Sequence, residues 1–130
     1  MGIFDLFKKS APLTPEQKLN KLWDMWADGK VPSPYAQLMT YQSEVGNGGH
    51  DQYFFNVNES SDVKAEVEAL LTILPEPLKA NLQRGYEAYR ACPDAECEND
   101  EVFSACDDVF YEQESLINAL LEAYAETMKL

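Results

Sequence analysis

A glycine-rich joint between two helical patterns constrains this chain more than any other feature. The joint is Asn47-Gly48-Gly49, and it lies within residues 41–56, a stretch crowded with aromatic and amide side chains. Paired glycines favour positive φ and let another backbone come close, so they end a helix and allow a sharp turn. The sequence therefore predicts a helix over 34–46, a break at the glycines, and a short helix over 49–56.

Helix signals also recur along the rest of the chain, whereas period-2 alternation is almost absent. Thr14 and Gln17 form a capping box around Pro15, which predicts a helix over 15–28. Ser60 or Ser61 is the expected cap of the helix that follows the joint.

Apolar residues at helical spacing predict one helix from 78 to about 92 and one or two closing helices after residue 100. We predict an all-α fold, a compact single domain of about six helices with a glycine-rich helix–helix joint. In this scheme residues 1–130 form one domain, in which 1–13 is an N-terminal docking segment and 14–128 is the helical body.

Length and composition narrow the class of protein. A chain of 130 residues is expected to form one domain. It contains no run of 18 apolar residues, and its first residues lack the pattern of a secretory signal, so we predict a cytoplasmic protein. The cysteines are Cys92, Cys97 and Cys106, an odd number whose spacing matches no zinc pattern. We therefore expect reduced thiols, no metal and no cofactor.

Negative charge is concentrated in the second half of the chain. Residues 1–65 carry 8 acidic and 6 basic side chains, net −2, and residues 66–130 carry 15 acidic and 4 basic side chains, net −11. Between Ala91 and Met128 there are 11 carboxylates and no Lys or Arg. A protein that binds nucleic acid directly needs a basic surface for phosphate contacts, so this charge argues against that class.

The polar side chains of the joint form the first candidate site. If the two helices turn sharply at the glycines, Glu44 and Asn47 of one helix are expected to meet Gln52 and Asn56 of the other. These groups would either cap helix ends and satisfy the loop, or line a pocket for a ligand, or form a catalytic centre. The candidate binding cluster is Glu44, Asn47, Gly48, Gly49, His50, Gln52 and Asn56.

His50 is the only histidine and stands next to Asp51. A histidine beside a carboxylate can act as a general base or a pH switch, but adjacent residues do not face each other on a helix. The motif contains no recognisable nucleophile, and no second histidine or ordered carboxylate pair suggests a metal. A surface or packing role for His50 is therefore favoured.

The acidic run has two interpretations. A run of like charge is often only a solvated surface, and it can also be a surface that binds a basic partner. Asp108 with Glu112, and Glu122 with Glu126, are one helical turn apart, where like charges destabilise an isolated helix but approximate a row of phosphates. The predicted acidic face comprises Asp94, Glu96, Glu98, Asp100, Glu101, Asp107, Asp108, Glu112, Glu114, Glu122 and Glu126.

Two motifs carry a resemblance to a known family. They are Tyr41-x-x-Glu44-Val45-x-Asn47-Gly48-Gly49-x-x-Gln52-Tyr53-Phe54-x-Asn56 and Asp107-Asp108-x-Phe110-Tyr111, the latter followed by a Leu-rich helix that ends near Tyr124. Together they resemble an uncharacterised bacterial family of all-helical domains, over about residues 15–126. The chain departs from the family at His50, where Phe is common. The best understood relative in that family is an acidic, dimeric DNA-mimic protein that occupies the DNA-binding face of a transcription regulator.

The resemblance implies a protein that acts by binding and not by catalysis. We predict an acidic interaction protein, a DNA mimic whose partner is a basic protein such as a DNA-binding regulator. The resemblance also implies a homodimer, and neither nucleic acid nor a membrane is an expected direct partner. The alternative is a module that binds a small molecule or peptide at the Asn-Gly-Gly joint, and an enzyme comes third.

Overall fold

The structure is a computed structural model that describes residues 12–92 and 99–128. Five α-helices account for most of these residues. They are α1 (Pro15–Ala27), α2 (Tyr35–Ser60), α3 (Val63–Ile73), α4 (Leu78–Ala91) and α5 (Asp100–Thr127). These ranges contain no strand, so the all-α prediction is confirmed, and the predicted number of helices is close to the number found. Most of the predicted docking segment, residues 1–11, lies outside the described residues.

Local capping explains where two of the helices begin. The backbone N–H of Gln17 donates to Thr14 Oγ1 at 3.1 Å and the N–H of Thr14 donates to Gln17 Oε1 at 2.9 Å, so the predicted capping box of α1 is confirmed. The cap of α3 is Asp62, whose carboxylate accepts from the N–H of Lys64 at 3.0 Å. The prediction of a serine cap is wrong because α2 continues through Ser60, whose hydroxyl donates to the carbonyl of Asn56.

Helix α5 organises the packing. It contacts α1, α2 and α4, and α3 closes the arrangement against α2 and α4. A single hydrophobic core takes side chains from all five helices, and burial of each large apolar side chain contributes about 1.5 to 3 kcal/mol. The fully buried members include Leu22 of α1, Leu38 and Phe54 of α2, Leu70 of α3, Leu82 of α4 and Phe110 of α5.

Two of the three cysteines, Cys92 and Cys106, lie within the described residues, and Cys97 lies outside them. Cys106 is a buried free thiol whose Sγ lies 3.6 Å from the carbonyl oxygen of Asn81. Cys92, by contrast, is disulfide-bonded, so the prediction of three reduced thiols is wrong. Within residues 12–92 and 99–128, no helix has the length and apolar character needed to cross a membrane.

Candidate functional site

The predicted break in α2 is present, and it falls at Gly48 and Gly49. Gly48 has φ −147° and ψ 16°, and Gly49 has φ 78° and ψ −176°. The conformation of Gly49 is one that glycine alone adopts readily. A Cβ at Gly49 would also overlap the carboxylate of Asp107, which packs directly against it. The glycine is therefore required both for the turn and for the close approach of α5.

Asp107 joins α5 to the break through a chain of hydrogen bonds that is buried at Tyr41 and partly buried at Asp107. Its Oδ1 accepts from the backbone N–H of His50 at 2.8 Å and lies 2.6 Å from His50 Nδ1. The other ring nitrogen, Nε2, lies 2.6 Å from the hydroxyl of Tyr41. We call Tyr41, His50 and Asp107 the buried triad after its two fully buried members, since the Asp107 side chain is 27% exposed.

Burial determines the protonation of Tyr41 and His50. Desolvation lowers the pKa of His50 below that of an exposed histidine, and it outweighs the opposite effect of the Asp107 carboxylate. Desolvation also raises the pKa of Tyr41 well above its usual value, so the phenol keeps its proton. A neutral imidazole with its proton on Nδ1 then donates to Asp107 and accepts from Tyr41, which satisfies all three groups.

The buried triad has the order of a proton relay, but its geometry is closed. Both Tyr41 and His50 have 0% of their surface exposed, and Tyr41 packs edge-on against Tyr53 and Phe110 at ring-centre distances of 5.1 and 5.6 Å. A substrate would have to displace core side chains to reach either group. The arrangement suits fastening two helices together, which agrees with the packing role favoured for His50.

The structure brings the four predicted polar side chains of the joint together. Glu44 Oε2 accepts from Gln52 Nε2 at 2.9 Å and from Asn56 Nδ2 at 2.6 Å. Asn47 Nδ2 donates to Gln52 Oε1 at 3.2 Å. His50 does not belong to this cluster because its ring points into the core. The amide donors of Gln52 and Asn56 are engaged within the cluster, which links the two halves of α2 across the break.

Five acidic residues of α5 share its outward side. With 3.6 residues per turn they fall within an arc of about 80°. All five are exposed. We call this surface the α5 face, and it comprises Glu101, Asp108, Glu112, Glu122 and Glu126.

The other members of the predicted acidic face lie elsewhere. Asp107 turns inward to the buried triad, and Glu114 is half-buried and accepts from Gln42 Nε2 at 3.1 Å. Asp100 is exposed at the first residue of α5. Asp94, Glu96 and Glu98 lie outside the described residues. Within the α5 face, Glu126 is paired with Lys18 of α1 at 3.0 Å, whereas the other four carboxylates have no ion-pair partner among the described residues.

A surface cleft of about 430 Å³ lies between α3 and α4, and the sequence did not indicate it. Its walls carry two cations and two carboxylates, and the guanidinium carbon of Arg90 lies 5.5 Å from the centre of the Tyr86 ring. The lining residues are Lys64, Val67, Glu68, Leu71, Gln83, Tyr86, Glu87 and Arg90.

A family model described as DMP19-like protein matches residues 34–128 of this chain. The chain belongs to the DMP19-like family. The match covers α2 to α5, so the break, the buried triad and the α5 face all lie in the part shared with the family, whereas α1 lies outside it. No curated protein and no solved structure matches the chain.

Asp107 is the site residue whose role the sequence did not reveal. Its position in an acidic run predicts a place on the acidic face. Its spacing carries a weak signal, since it follows Phe103 by four residues and precedes Phe110 by three, at the edge of the apolar stripe of α5. A carboxylate at such an edge, in a chain with one histidine, is a candidate for a buried contact.

Proposed function

We propose that this DMP19-like protein is a non-enzymatic DNA mimic, and that the α5 face binds a basic protein in place of DNA. The observation that supports this proposal is the alignment of five exposed carboxylates on one side of α5, with no Lys or Arg between Ala91 and Met128. Surfaces of one charge sign steer oppositely charged partners toward them and repel partners of the same sign. The partner class is therefore a basic protein, such as a DNA-binding regulator.

The spacing of the carboxylates determines what one copy can imitate. From Glu101 to Glu126 the helix rises about 37 Å, so the five charges follow each other at about 9 Å on average. Duplex DNA presents about one charge per 1.7 Å of axis. One α5 face thus imitates the sign and direction of a phosphate row at much lower density, and a homodimer that aligns two faces would come closer to the density of DNA.

The polar cluster at the joint gives less support to the alternative, a pocket for a small molecule or peptide. A ligand site needs polar groups that are free to reach the ligand. Here the Glu44 carboxylate already accepts two hydrogen bonds from Gln52 and Asn56. The geometry favours a structural role for the cluster.

Charge reversal on the α5 face tests the proposal. The variant carries Asp108→Lys, Glu112→Lys and Glu122→Lys, three exposed positions without hydrogen-bond or ion-pair partners among the described residues. Wild type is expected to capture a basic DNA-binding protein from lysate of the source cell, to release it as salt rises from about 50 to about 200 mM, and to lose it to added duplex DNA. The variant is expected to capture none.

A matched control changes the same net charge elsewhere. Asp24→Lys, Asp28→Lys and Glu59→Lys alter exposed carboxylates on α1, at its C-cap and on α2. This control should retain capture, because it leaves the α5 face intact. Equal capture by wild type and the α5-face variant, or the absence of any partner that duplex DNA displaces, would refute the proposal.

A further inference from the structure

One exposed aromatic side chain borders the α5 face. Tyr111 has 54% of its surface exposed, and among the described residues it is one of two large hydrophobic side chains with such exposure; the other is Phe55 of α2. Tyr111 follows Asp108 by three residues on the same helix, so their Cβ atoms are about 5 to 6 Å apart. Glu112 is the next residue along the chain.

The ring of Tyr111 is held in place. Its hydroxyl lies 3.4 Å from the carbonyl oxygens of Val45 and Gly46, just before the break in α2. Its ring also packs edge-on against Phe110, with ring centres 5.4 Å apart. An aromatic ring fixed at its tip and at one edge loses little conformational entropy when a partner covers its exposed surface.

Resting on the proposed function of the α5 face, we infer that Tyr111 makes this surface selective for arginine over lysine in its basic partner. A guanidinium group stacks on an aromatic ring and donates two parallel hydrogen bonds to a carboxylate, and an ammonium group does not reproduce this geometry. Tyr111 supplies the ring and Asp108 supplies the carboxylate. Asp108 is free for this contact, since it has no hydrogen-bond or ion-pair partner within the described ranges.

The occupant follows from complementary charge. The C-terminal end of the first half of α2 lies beside Tyr111 and adds the partial negative charge of a helix terminus to that of the carboxylates. The surroundings of the ring therefore favour a cation and disfavour a neutral apolar side chain.

Two synthetic peptides of equal length and charge test this inference, one a glycine-arginine repeat and the other a glycine-lysine repeat. Fluorescence anisotropy at low salt gives the ratio of their dissociation constants for each variant. Carboxylates alone also favour arginine. The decisive quantity is therefore the change in this ratio between wild type and a variant that lacks the ring. Tyr111→Leu should lower the preference for arginine by about two- to fivefold, with the larger loss of affinity in the arginine peptide.

Two further variants separate the ring from other effects. Tyr111→Phe keeps the ring, loses the hydroxyl contacts and should keep the preference. Phe55→Leu removes the other exposed aromatic ring and should also keep it. An unchanged preference in Tyr111→Leu would overturn the inference while leaving the proposed function intact. A wild-type protein that binds neither peptide in a salt-sensitive way would overturn both.

Discussion

Replacing Gly49 by alanine is the sharpest test of the structural argument. The new Cβ would hold the residue in a backbone region that costs a non-glycine residue about 1 to 3 kcal/mol. It would also displace the Asp107 carboxylate from His50, and loss of a hydrogen bond to a charged group costs about 1.5 to 3 kcal/mol. We expect the free energy of unfolding to fall by about 2.5 to 6 kcal/mol, the sum of these two costs.

Urea unfolding followed by circular dichroism measures this change, and two neighbouring glycines provide controls. Gly46 lies in a helical part of α2, and a Cβ there meets no atom within 4 Å, so Gly46→Ala should be neutral or stabilise by up to about 1 kcal/mol. Gly48→Ala should lie between the two, because its φ of −147° suits any residue but its Cβ would push the Gln52 side chain aside. If Gly49→Ala and Gly46→Ala unfold at the same urea concentration, the reasoning is refuted.

Three further predictions follow from individual contacts. Burial lowers the folded-state pKa of His50, so the unfolded chain binds a proton at a higher pH than the folded protein does. The free energy of unfolding is therefore expected to decrease as the pH falls below about 6.5. His50 is the only histidine, so its imidazole NMR signals are unambiguous, and a titration midpoint above about 6.5 would contradict this prediction. Asn81→Ala should lower the free energy of unfolding by about 1 to 3 kcal/mol, because the buried amide of Asn81 donates to the carbonyl of Cys106 at 2.8 Å; a urea midpoint equal to that of wild type would exclude this role. Lys18→Ala should cost less than about 1 kcal/mol in the same assay, since its carboxylate partner is 53% exposed, and a larger loss would show that the ion pair is stronger than its exposure suggests.

Local signals in the sequence account for most of the helix positions. The capping box at Thr14 and the glycine joint correctly predicted the start of α1 and the break in α2, because both depend on residues within one turn. The boundary between α2 and α3 was misplaced because three capping residues, Ser60, Ser61 and Asp62, are adjacent. A run of adjacent capping residues places a helix boundary only to within one or two residues.

The candidate site was predictable only where its residues are close in sequence. The cluster around Glu44 is predictable because its members lie within 13 residues of sequence, on the two sides of the glycine break. The pairing of His50 with Asp107 was not, because 57 residues separate them. The neighbouring Asp51 was the carboxylate that sequence proximity suggested, yet it is exposed and takes no part in the buried triad.

The buried triad has a consequence for the lengthwise register of α5. A slide of two turns would keep part of the apolar packing, because Phe110 and Ile117 would come to the places of Phe103 and Phe110. The same slide would bring Glu114 to the place of Asp107, where a side chain one methylene longer is not expected to fit between Gly49 and the two nitrogens of His50 that Asp107 contacts. The length of a single carboxylate side chain thus favours one register over a neighbour that keeps part of the hydrophobic packing. That choice also sets where along the molecule each outward carboxylate of the helix stands.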